Sequence, residues 1–258
     1  RMDLGLRGKN VLVTGGGAGI GAGISEIFAE EGANIIINDI KNIEEKEKYI
    51  QRLSSTYHIE GLALPGNIGA EKDVKYIFDE AEKKFGHIDI LINNAGRVYE
   101  ESLLNISLRE WEKSLSDNLT GQFLMSQEYA RRVIGHKLSG SIVNIISKAA
   151  IFSKTPNKIA YVSNKAGEVG LTHSLAVELI EHGIRVNGIL PGHVMASRLE
   201  REKIENPEKF KMRLQKSPIK RFAEPKEIGM TAAFLASDKC QLAVGSIVDI
   251  SGGLLLGY

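Results

Sequence analysis

The chain has 258 residues, 43% of them hydrophobic and 25% charged, a composition typical of globular proteins that bury a substantial core. Lys and Arg number 33 against 32 Asp and Glu, a balance that argues against nucleic-acid binding. No apolar run reaches the roughly 18 residues of a transmembrane helix, and the first residues lack a signal peptide's apolar segment. With Cys240 as the single cysteine, we expect a cytoplasmic protein without disulfides or membrane partners.

Short β-rich segments alternate with longer helical ones along the chain. The predicted strands are continuous apolar runs, which suit burial on both faces of a parallel sheet. They cover 11–13, 35–37, 62–64, 88–92, 141–146, 184–190 and 244–250. Apolar spacing predicts helices between them, over 20–31, 44–54, 74–85, 107–133 and 160–181, with a last one beginning at Pro225.

This alternation predicts a Rossmann-like α/β fold, a doubly wound parallel sheet of about seven strands with helices on both faces. We expect one domain over 1–258, because the sequence contains no repeat, low-complexity tract or linker-like shift in composition. Residues 193–224 interrupt the rhythm with a charged, partly helical excursion. Long insertions of this kind often form lids, so a substrate-binding role is expected there.

A glycine cluster joins the first predicted strand to the first predicted helix, with the spacing T-G-x-x-x-G-x-G from Thr14 to Gly21. Glycines let a turn approach a pyrophosphate, and the following helix offers free backbone N–H groups. The strict G-x-G-x-x-G spacing is absent, because Ile24 holds its last position, and no P-loop lysine follows. The position between strand and helix favours a dinucleotide site over a plain turn. We expect contacts from Gly15, Gly17, Gly19, Ile20 and Gly21.

Asp39 ends the second predicted strand, 18 residues after Gly21. This is close to the spacing at which a carboxylate accepts hydrogen bonds from the adenosine ribose. The same charge would repel a 2′-phosphate, and the glycine loop holds no Arg or Lys to bind one. Asp39 and its neighbour Ile40 therefore predict NAD as the cofactor. Lys41 is near enough to leave NADP open as the alternative.

Tyr161 and Lys165 are four residues apart on a predicted helix, so they project from one face. An unperturbed tyrosine has a pKa of about 10 and is a poor acid or base at neutral pH. A neighbouring ammonium stabilises the phenolate and suits the pair to proton exchange with a substrate oxygen. Chance alone often supplies such a pair, so its meaning depends on the other motifs.

Several motifs accompany this pair in one order along the chain. They are the glycine loop, Asn93-Asn94-Ala95-Gly96, Asn118, Ser147, Tyr161 with Lys165, and Pro191-Gly192. Together they closely resemble the short-chain dehydrogenase/reductase family over essentially the whole chain. The tail, with its Phe234-Leu235-Ala236-Ser237 and Gly252-Gly253 segments, is similar too. The resemblance implies hydride transfer between a nicotinamide cofactor and an alcohol or ketone, in a homotetramer.

The resemblance also implies a role for each motif residue. Tyr161 would exchange a proton with the substrate oxygen, and Ser147 would orient the carbonyl. Lys165 would bind the nicotinamide ribose, and Asn118 would interrupt its helix and hold a water that links Lys165 to solvent. Further cofactor contacts are implied for Asn67, Ile68, Asn94, Ala95, Gly96, Tyr161, Lys165, Pro191, Gly192 and Val194, with Asn93 closing the cleft.

The sequence departs from the family pattern in three places. Ser147 precedes Tyr161 by one residue more than is usual, with Ser153 as the alternative serine. Asn67 stands where an aspartate often contacts the adenine, although an amide can accept the same hydrogen bond. Ala196 replaces a threonine that would contact the carboxamide, which shifts that contact to Ser197.

Basic residues occur in the segments expected to line the substrate site. Lys148, His193 and Arg198 are the predicted substrate contacts, with Arg97 and Arg201 nearby. They predict an anionic or polyhydroxylated substrate such as a sugar, polyol or hydroxy acid. Phe152, Met195 and the leucines of 254–256 leave open an apolar pocket for a steroid or acyl substrate, as in an NADPH-dependent 3-ketoacyl reductase.

Other function classes are less well supported. No histidine pair has metal-ligand spacing, so no metal is expected, and no G-x-S-x-G elbow indicates a serine hydrolase. A non-catalytic NAD(H)-sensing protein remains the rival to an enzyme, because fold alone does not fix function. The joint presence of Tyr161, Lys165, Ser147 and Asn118 favours the enzyme.

Overall fold

Seven parallel strands form the central sheet in the order β3-β2-β1-β4-β5-β6-β7. The computed structural model describes residues 2–256. The strands are β1 (Asn10–Thr14), β2 (Asn34–Asp39), β3 (Gly61–Pro65), β4 (Ile90–Asn93), β5 (Gly140–Ile145), β6 (Ile184–Pro191) and β7 (Ile247–Ile250). The order reverses between β1 and β4, which makes the sheet doubly wound, as the sequence predicts.

Helices cover both faces of this sheet. They are α1 (Gly19–Glu30), α2 (Ile43–Tyr57), α3 (Glu71–Phe85), α4 (Leu108–Leu115), α5 (Gly121–Gly135), α6 (Ile159–Leu179), α7 (Ser197–Glu205), α8 (Pro207–Lys216) and α9 (Pro225–Ala236). Alternate side chains of a strand point to opposite faces, so Val11 and Val13 enter one apolar core and Leu12 the other. Helices α1, α2 and α9 close the first core, and α3, α5 and α6 close the second.

Two predicted strands begin later than the sequence indicates. The strand predicted over 244–250 begins at Ile247, because Gly245 adopts a left-handed φ of +71° and the chain turns there before it joins the sheet. The strand predicted over 88–92 begins at Ile90, where its ladder with β1 begins. Asp89, just before it, instead accepts a hydrogen bond from the backbone N–H of Asn10 at 2.8 Å.

The long helix predicted over 107–133 is divided into α4, a π-helical turn (Ser116–Thr120) and α5. Ser107 opens α4 with a capping box in which Glu110 is its partner. The Ser114 carbonyl accepts side-chain hydrogen bonds from Asn118 at 2.8 Å and Asn164 at 2.9 Å. These two amides occupy an acceptor that the helix ladder would otherwise use, which accounts for the widened turn at Asn118.

The excursion between β6 and α9 contains α7 and α8. Arg213 of α8 binds Glu202 of α7 through two hydrogen bonds of 2.8 and 3.0 Å, which join the two helices. A single β-bridge between Val194 and Ala223 ties the ends of the segment together. The segment therefore lies beyond the carboxyl end of β6. Among residues 2–256, no helix has both the length and the apolar character needed to cross a membrane.

Candidate active site

The glycine loop between β1 and α1 is fastened to the end of β4. The Thr14 hydroxyl accepts the backbone N–H groups of Asn94 and Ala95, both at 3.0 Å. The Asn94 amide donates to the carbonyls of Thr14 at 3.0 Å and Gly15 at 3.2 Å. A Cβ on Gly21 would lie 2.0 Å from the Gly15 carbonyl oxygen, so the loop closes only around glycine there. Asn94 and Ala95 thus shape the predicted cofactor cleft.

The same loop fits the pyrophosphate of a dinucleotide. Ala18 precedes α1 and supplies no side-chain cap, so no side chain at the N-cap occupies the first backbone N–H groups of the helix. Gly19 adopts a φ of +52°, and the nearest atom to a Cβ built there is 3.5 Å away, on Ala196. A helix N-terminus with uncapped amides and open space above it binds phosphate readily.

Asp39 lies at the carboxyl end of β2, next to this loop. One carboxylate oxygen accepts the backbone N–H of Ile40 at 2.8 Å, and the other lies 3.8 Å from Nζ of Lys46 on α2. Lys46 is only 8% exposed, and its Nζ also donates to the Gly17 carbonyl at 3.4 Å. Lys46 was not among the residues predicted from the sequence. Lys41, the cation that left NADP open, has an exposed side chain.

Asn67 and Ile68 form the turn after β3. The Asn67 side-chain oxygen accepts the Gly69 N–H at 3.0 Å, and its backbone N–H donates to Asp73 at 2.8 Å. An amide oxygen has a second lone pair, which is still available to an adenine amino group. Ile68 is 6% exposed and belongs to the core, where it limits the space beside Gly121.

Ser147 and Tyr161 line one cavity of about 230 Å³. Ser147 follows β5, and its hydroxyl oxygen accepts the Ala149 N–H at 3.1 Å, which leaves the hydroxyl hydrogen free to donate. Ser153 lines the cavity as well. The full wall consists of Ile20, Ser147, Lys148, Ala149, Ser153, Thr155, Lys158, Tyr161, Gly192, His193, Val194, Ala196, Arg198, Leu199 and Arg213.

Lys165 extends from α6 into the protein interior. Its Nζ lies 2.9 Å from Oε2 of Glu168, 3.4 Å from the Ile145 carbonyl and 5.8 Å from the centre of the Tyr161 ring. Burial lowers the pKa of this ammonium, but the charges of Glu168 and Tyr161 outweigh burial, so the pKa is raised. A positive charge therefore lies beside Tyr161. Glu168 was not among the residues predicted from the sequence.

Asn118 lies on the π-helical turn and is 1% exposed. Its side-chain oxygen accepts the Arg97 N–H at 2.9 Å, and its amide donates to the Arg97 carbonyl at 3.1 Å. A Cβ on Gly96 would lie 2.8 Å from the Asn118 oxygen and 3.6 Å from Nζ of Lys165. Asn118 and Lys165 thus both lie close to Gly96. The water that the resemblance implies between Lys165 and solvent stays a prediction.

Positive charge dominates the cavity wall near Tyr161. Glu100 lies 3.2 Å from Nζ of Lys158 and 3.0 Å from Arg198, and Glu202 binds Arg213. Lys148 is half-buried and has no carboxylate partner among the residues that the structure describes. Burial, followed by the charges of Lys158 and Arg213, lowers its pKa. Four cations thus face two carboxylates around this cavity.

Comparison with known proteins places these features in a family. A family model described as Enoyl-(Acyl carrier protein) reductase matches residues 15–255. The chain is 33% identical over 248 residues to the 3-oxoacyl-[acyl-carrier-protein] reductase FabG of Staphylococcus epidermidis, covering 96% of this chain and 99% of that protein. The chain belongs to the short-chain dehydrogenase/reductase family. It is therefore an oxidoreductase of a family that binds a nicotinamide cofactor.

Solved structures of the family match along the full length. A provisionally named gluconate dehydrogenase of Agrobacterium tumefaciens superposes with a TM-score of 0.92 at 28% identity, covering 100% of both chains. The L-sorbose reductase of Gluconobacter frateurii, solved with NADPH and L-sorbose, superposes with a TM-score of 0.91 at 27% identity, again covering 100% of both chains. The seven-stranded fold of this short-chain dehydrogenase/reductase is thereby confirmed.

The structure corrects the expected charge of His193. Burial, followed by the charges of Arg213, Lys148 and Arg198, lowers the pKa of this histidine to about 4. Its ring packs edge-on against Phe222, with 5.8 Å between the ring centres. His193 is therefore neutral near pH 7 and can offer a hydrogen bond but no charge to a ligand of this short-chain dehydrogenase/reductase.

The basic residues that line the cavity are not all those expected from the sequence. Arg97 lies over the Tyr99 ring, and Arg201 lines a neighbouring groove on α7. Lys158 and Arg213, which the sequence analysis missed, line the cavity instead. Arg213 gave no signal, because it is far from the motifs along the chain and α7 and α8 bring it to the cavity wall only after folding.

Two of the side chains expected to build an apolar pocket, Phe152 and Met195, lie away from the cavity, although Ile20, Val194 and Leu199 give its wall an apolar part. Phe152 packs against the cluster of Ile146, Leu190 and Leu255, and Leu256 is exposed. Within residues 2–256, the wall includes neither Phe152 nor Met195. The same described residues contain no group of three or more His, Cys, Asp or Glu that could hold a metal ion.

The segment after β6 continues the cleft of this short-chain dehydrogenase/reductase. Pro191 ends β6 and pairs with Ile250, and a Cβ on Gly192 would lie 2.6 Å from the Ser251 carbonyl oxygen. Val194 and Ala196 line the cavity. The side chain of Ser197, to which the sequence analysis gives the carboxamide contact, lies outside the described residues.

Proposed function

We propose that this protein is an NAD(H)-dependent enzyme that interconverts a secondary alcohol and a ketone on a small anionic, polyhydroxylated substrate such as a sugar acid or hydroxy acid. The observation that carries this proposal is the shared wall of Ser147 and Tyr161 with the cations Lys148, Lys158 and Arg213. A substrate carboxylate loses part of its hydration when it enters the cavity. Charge-assisted hydrogen bonds from these cations would compensate that loss, whereas an apolar pocket would not.

The chain's own residues supply the proton chemistry of this reaction. In alcohol oxidation, the Tyr161 phenolate takes the proton of the substrate hydroxyl, and in ketone reduction the phenol returns it. Ser147 donates its free hydroxyl hydrogen to the same oxygen and stabilises the charge that develops there. The Lys165 ammonium favours the phenolate, and Asn118 and Lys165 both lie close to Gly96. When bound, the nicotinamide supplies or accepts the hydride.

Asp39 supports NAD(H) as the preferred cofactor, because its carboxylate at the end of β2 would oppose a 2′-phosphate. Lys46, 3.8 Å from that carboxylate, offsets part of the repulsion. We therefore expect a moderate preference for NAD(H) over NADP(H), which steady-state kinetics with both cofactors would measure. A strong preference for NADPH would contradict this assignment.

A second candidate is an NADPH-dependent 3-ketoacyl reductase, favoured by the 33% identity to the staphylococcal FabG. The charged cavity wall argues against a steroid ketone as the substrate, since a steroid carries no anionic group that could bind Lys148 or Arg213. A non-catalytic cofactor sensor is the remaining alternative. It would bind NADH but turn over none of the substrates tested.

A substrate panel separates these candidates. Sugar acids, their neutral polyol counterparts, hydroxy acids, steroids and an acetoacetyl thioester would each be assayed with NAD(H) and NADP(H). We expect a sugar acid or hydroxy acid to give the highest kcat/KM, about tenfold above its neutral counterpart, since a charge-assisted contact contributes about 1.5–3 kcal/mol. A preference for the thioester with NADPH would replace our proposal with the second candidate.

We also propose a homotetramer, as the family resemblance implies. Its support is the set of large apolar side chains left exposed on several helices, including Leu108 at 70%, Val177 at 77% and Met230 at 56%. Light scattering on the purified protein would give four times the mass of the chain. A monomeric mass at micromolar concentration would contradict this assembly.

A further inference from the structure

One side of α6 carries a buried polar stripe that continues beyond the predicted catalytic pair. Tyr161 and Lys165 are followed by Glu168 and Thr172, at the three- and four-residue steps that keep side chains on one helix face. Glu168 is 2% exposed, and its Oε2 lies 2.9 Å from Nζ of Lys165. A carboxylate at such depth is costly unless it is paired, so its presence calls for a role.

The backbone at Glu168 is held by a chain of buried hydrogen bonds. The Thr172 hydroxyl donates to the Glu168 carbonyl at 2.7 Å and accepts from the Asn144 amide at 2.9 Å. The Asn144 side-chain oxygen in turn accepts from Asn93 at 3.0 Å. The ends of β4 and β5 therefore fix the helix turn that presents Glu168 to Lys165.

Lys165 is buried as deeply as its partner, at 5% exposure. Without a counter-charge, burial would favour the neutral amine, and a neutral amine neither stabilises a phenolate nor makes a charge-assisted bond. Burial acts against both charges, since it lowers the pKa of Lys165 and raises the pKa of Glu168. The charge of Glu168, the largest opposing influence on Lys165, together with Tyr161 raises the Lys165 pKa above its usual value, and the charge of Lys165 opposes the rise at Glu168.

We propose that Glu168 is a positioning residue that keeps Lys165 in its charged form across the working pH range and fixes its place beside Tyr161. This inference rests on the proposed function, in which Lys165 serves both Tyr161 and the cofactor ribose. Glu168 itself contacts neither substrate nor Tyr161 in this role. It acts through Lys165 alone.

Other ionisable groups on the segments packed against α6 are engaged elsewhere. Lys148 and His193, after β5 and β6, face the substrate cavity. Others include Asp117 with Tyr99 and Lys113, Glu110 with Ser107, His182 with Glu181, Glu128 with Arg132, and Arg185 with the carbonyls of Leu235, Ala236, Ser237, Cys240 and Ala243. The charge acting on Lys165 thus comes from Glu168 and Tyr161.

Two variants separate the charge of Glu168 from its shape. Glu168→Gln keeps the shape and removes the charge, whereas Glu168→Asp keeps the charge and shortens the side chain. Glu178→Gln, at an exposed position on the same helix, is the control. For each protein, the dissociation constant of NADH, or of NADPH if it binds more tightly, would be measured by fluorescence from pH 6 to about 11.5. This range extends beyond the ordinary lysine pKa of about 10.4. The pH profile of kcat would follow.

We expect affinity and kcat of Glu168→Gln to fall at alkaline pH, with a midpoint about one unit below that of the parent, since one nearby charge shifts a buried group by at least that much. Glu168→Asp and Glu178→Gln should keep the parental profile. A parental profile in Glu168→Gln, or equal shifts in the Gln and Asp variants, would overturn the proposal.

A measurement on the unaltered protein guards against misfolding of the variants. Side-chain carbon NMR of lysine-labelled enzyme, with Lys165→Arg to assign the signal, should show Lys165 losing its proton above the usual lysine pKa of about 10.4. Titration below that value would also overturn the proposal. Cofactor binding and NMR need no turnover, so inactivity towards every substrate would count against the proposed function and not against Glu168.

Discussion

The two ends of the cleft are built by different means. The proposed cofactor end uses backbone, since Gly15, Gly21 and the Asn94 side chain close the loop before the uncapped N-terminus of α1. The proposed substrate end uses long side chains from separate segments, among them Lys148, Lys158 and Arg213. Backbone cradles tolerate few sequences, whereas side-chain walls can change without disturbing the sheet. The motif residues at the first end therefore indicate the reaction class, whereas the side chains at the second end would select the substrate.

The largest effect should come from the point where the two ends meet. Tyr161→Phe removes the hydroxyl that exchanges the substrate proton, and we expect kcat to fall by about 10²–10⁴-fold, the usual contribution of general acid–base catalysis. Affinity for NADH, measured by fluorescence, should stay near that of the parent. Near-normal turnover in this variant would remove Tyr161 from the mechanism.

A substitution in the backbone cradle should be almost as damaging, but to binding. In Gly21→Ala the new Cβ would meet the Gly15 carbonyl oxygen, and we expect NADH affinity to fall about tenfold or more, since such overpacking costs about 1–3 kcal/mol. Gly170→Ala is the matched control, because a Cβ there meets nothing within 4 Å. Equal NADH affinities for both variants would show that the loop can move to accommodate a Cβ at Gly21, and would contradict the prediction.

At the substrate end, Lys148→Gln should raise KM for an acidic substrate about tenfold, as loss of a charge-assisted contact would. Affinity for NADH and KM for a neutral polyol should not change. Lys154→Gln, at an exposed position of the same segment, is the control. If both variants behave alike, the unpaired charge of Lys148 has no special part in recognition.

The pH dependence of KM follows from the same residue. The ammonium of Lys148 is present below its pKa and is lost as the pH rises through it, and burial lowers that pKa. KM for an acidic substrate should therefore rise at a pH lower than expected for a free lysine, and Lys148→Gln should abolish the rise. His193, with a pKa of about 4, should contribute no change between about pH 6 and 8.

The smallest effects should appear in cofactor preference. Asp39→Asn should weaken the preference for NAD(H), and Lys46→Met should strengthen it, because the carboxylate then faces a 2′-phosphate without a neighbouring cation. Each ratio of kcat/KM for NAD over NADP should change by a few-fold, as expected for a partly screened charge pair. Shifts of both variants in the same direction would contradict this assignment.

The strands and helices could be predicted because apolar spacing records burial directly. Apolar spacing alone could not predict the π-helical turn, since the turn depends on Asn164, far along the chain, competing for the Ser114 carbonyl. Only the family resemblance implied an interruption of the helix at Asn118. The late start of β7 depends on the left-handed conformation of Gly245. The apolar residues on both sides of this glycine predict a strand that includes it, so the sequence does not indicate the turn.

In the site, the motif residues were predicted from the sequence, but the residues that pair with them were not. For two of these pairing residues, apolar spacing does contain a signal. Lys46 occupies a buried position of α2 in line with Ile50 and Leu53, and Glu168 occupies one on α6. A charged residue on a buried helix stripe indicates a pairing partner nearby. Arg213 left no such signal, because its position depends on how α8 folds back.

The central claim is that positive charge around Tyr161 selects an anionic substrate. The most direct test is the ratio of kcat/KM for a sugar acid to that for its neutral polyol, measured side by side with NAD in the unaltered enzyme and in Lys148→Gln. We predict a ratio of about ten or more in the unaltered enzyme, and a ratio near one in the variant. A ratio at or below one in the unaltered enzyme would contradict the claim.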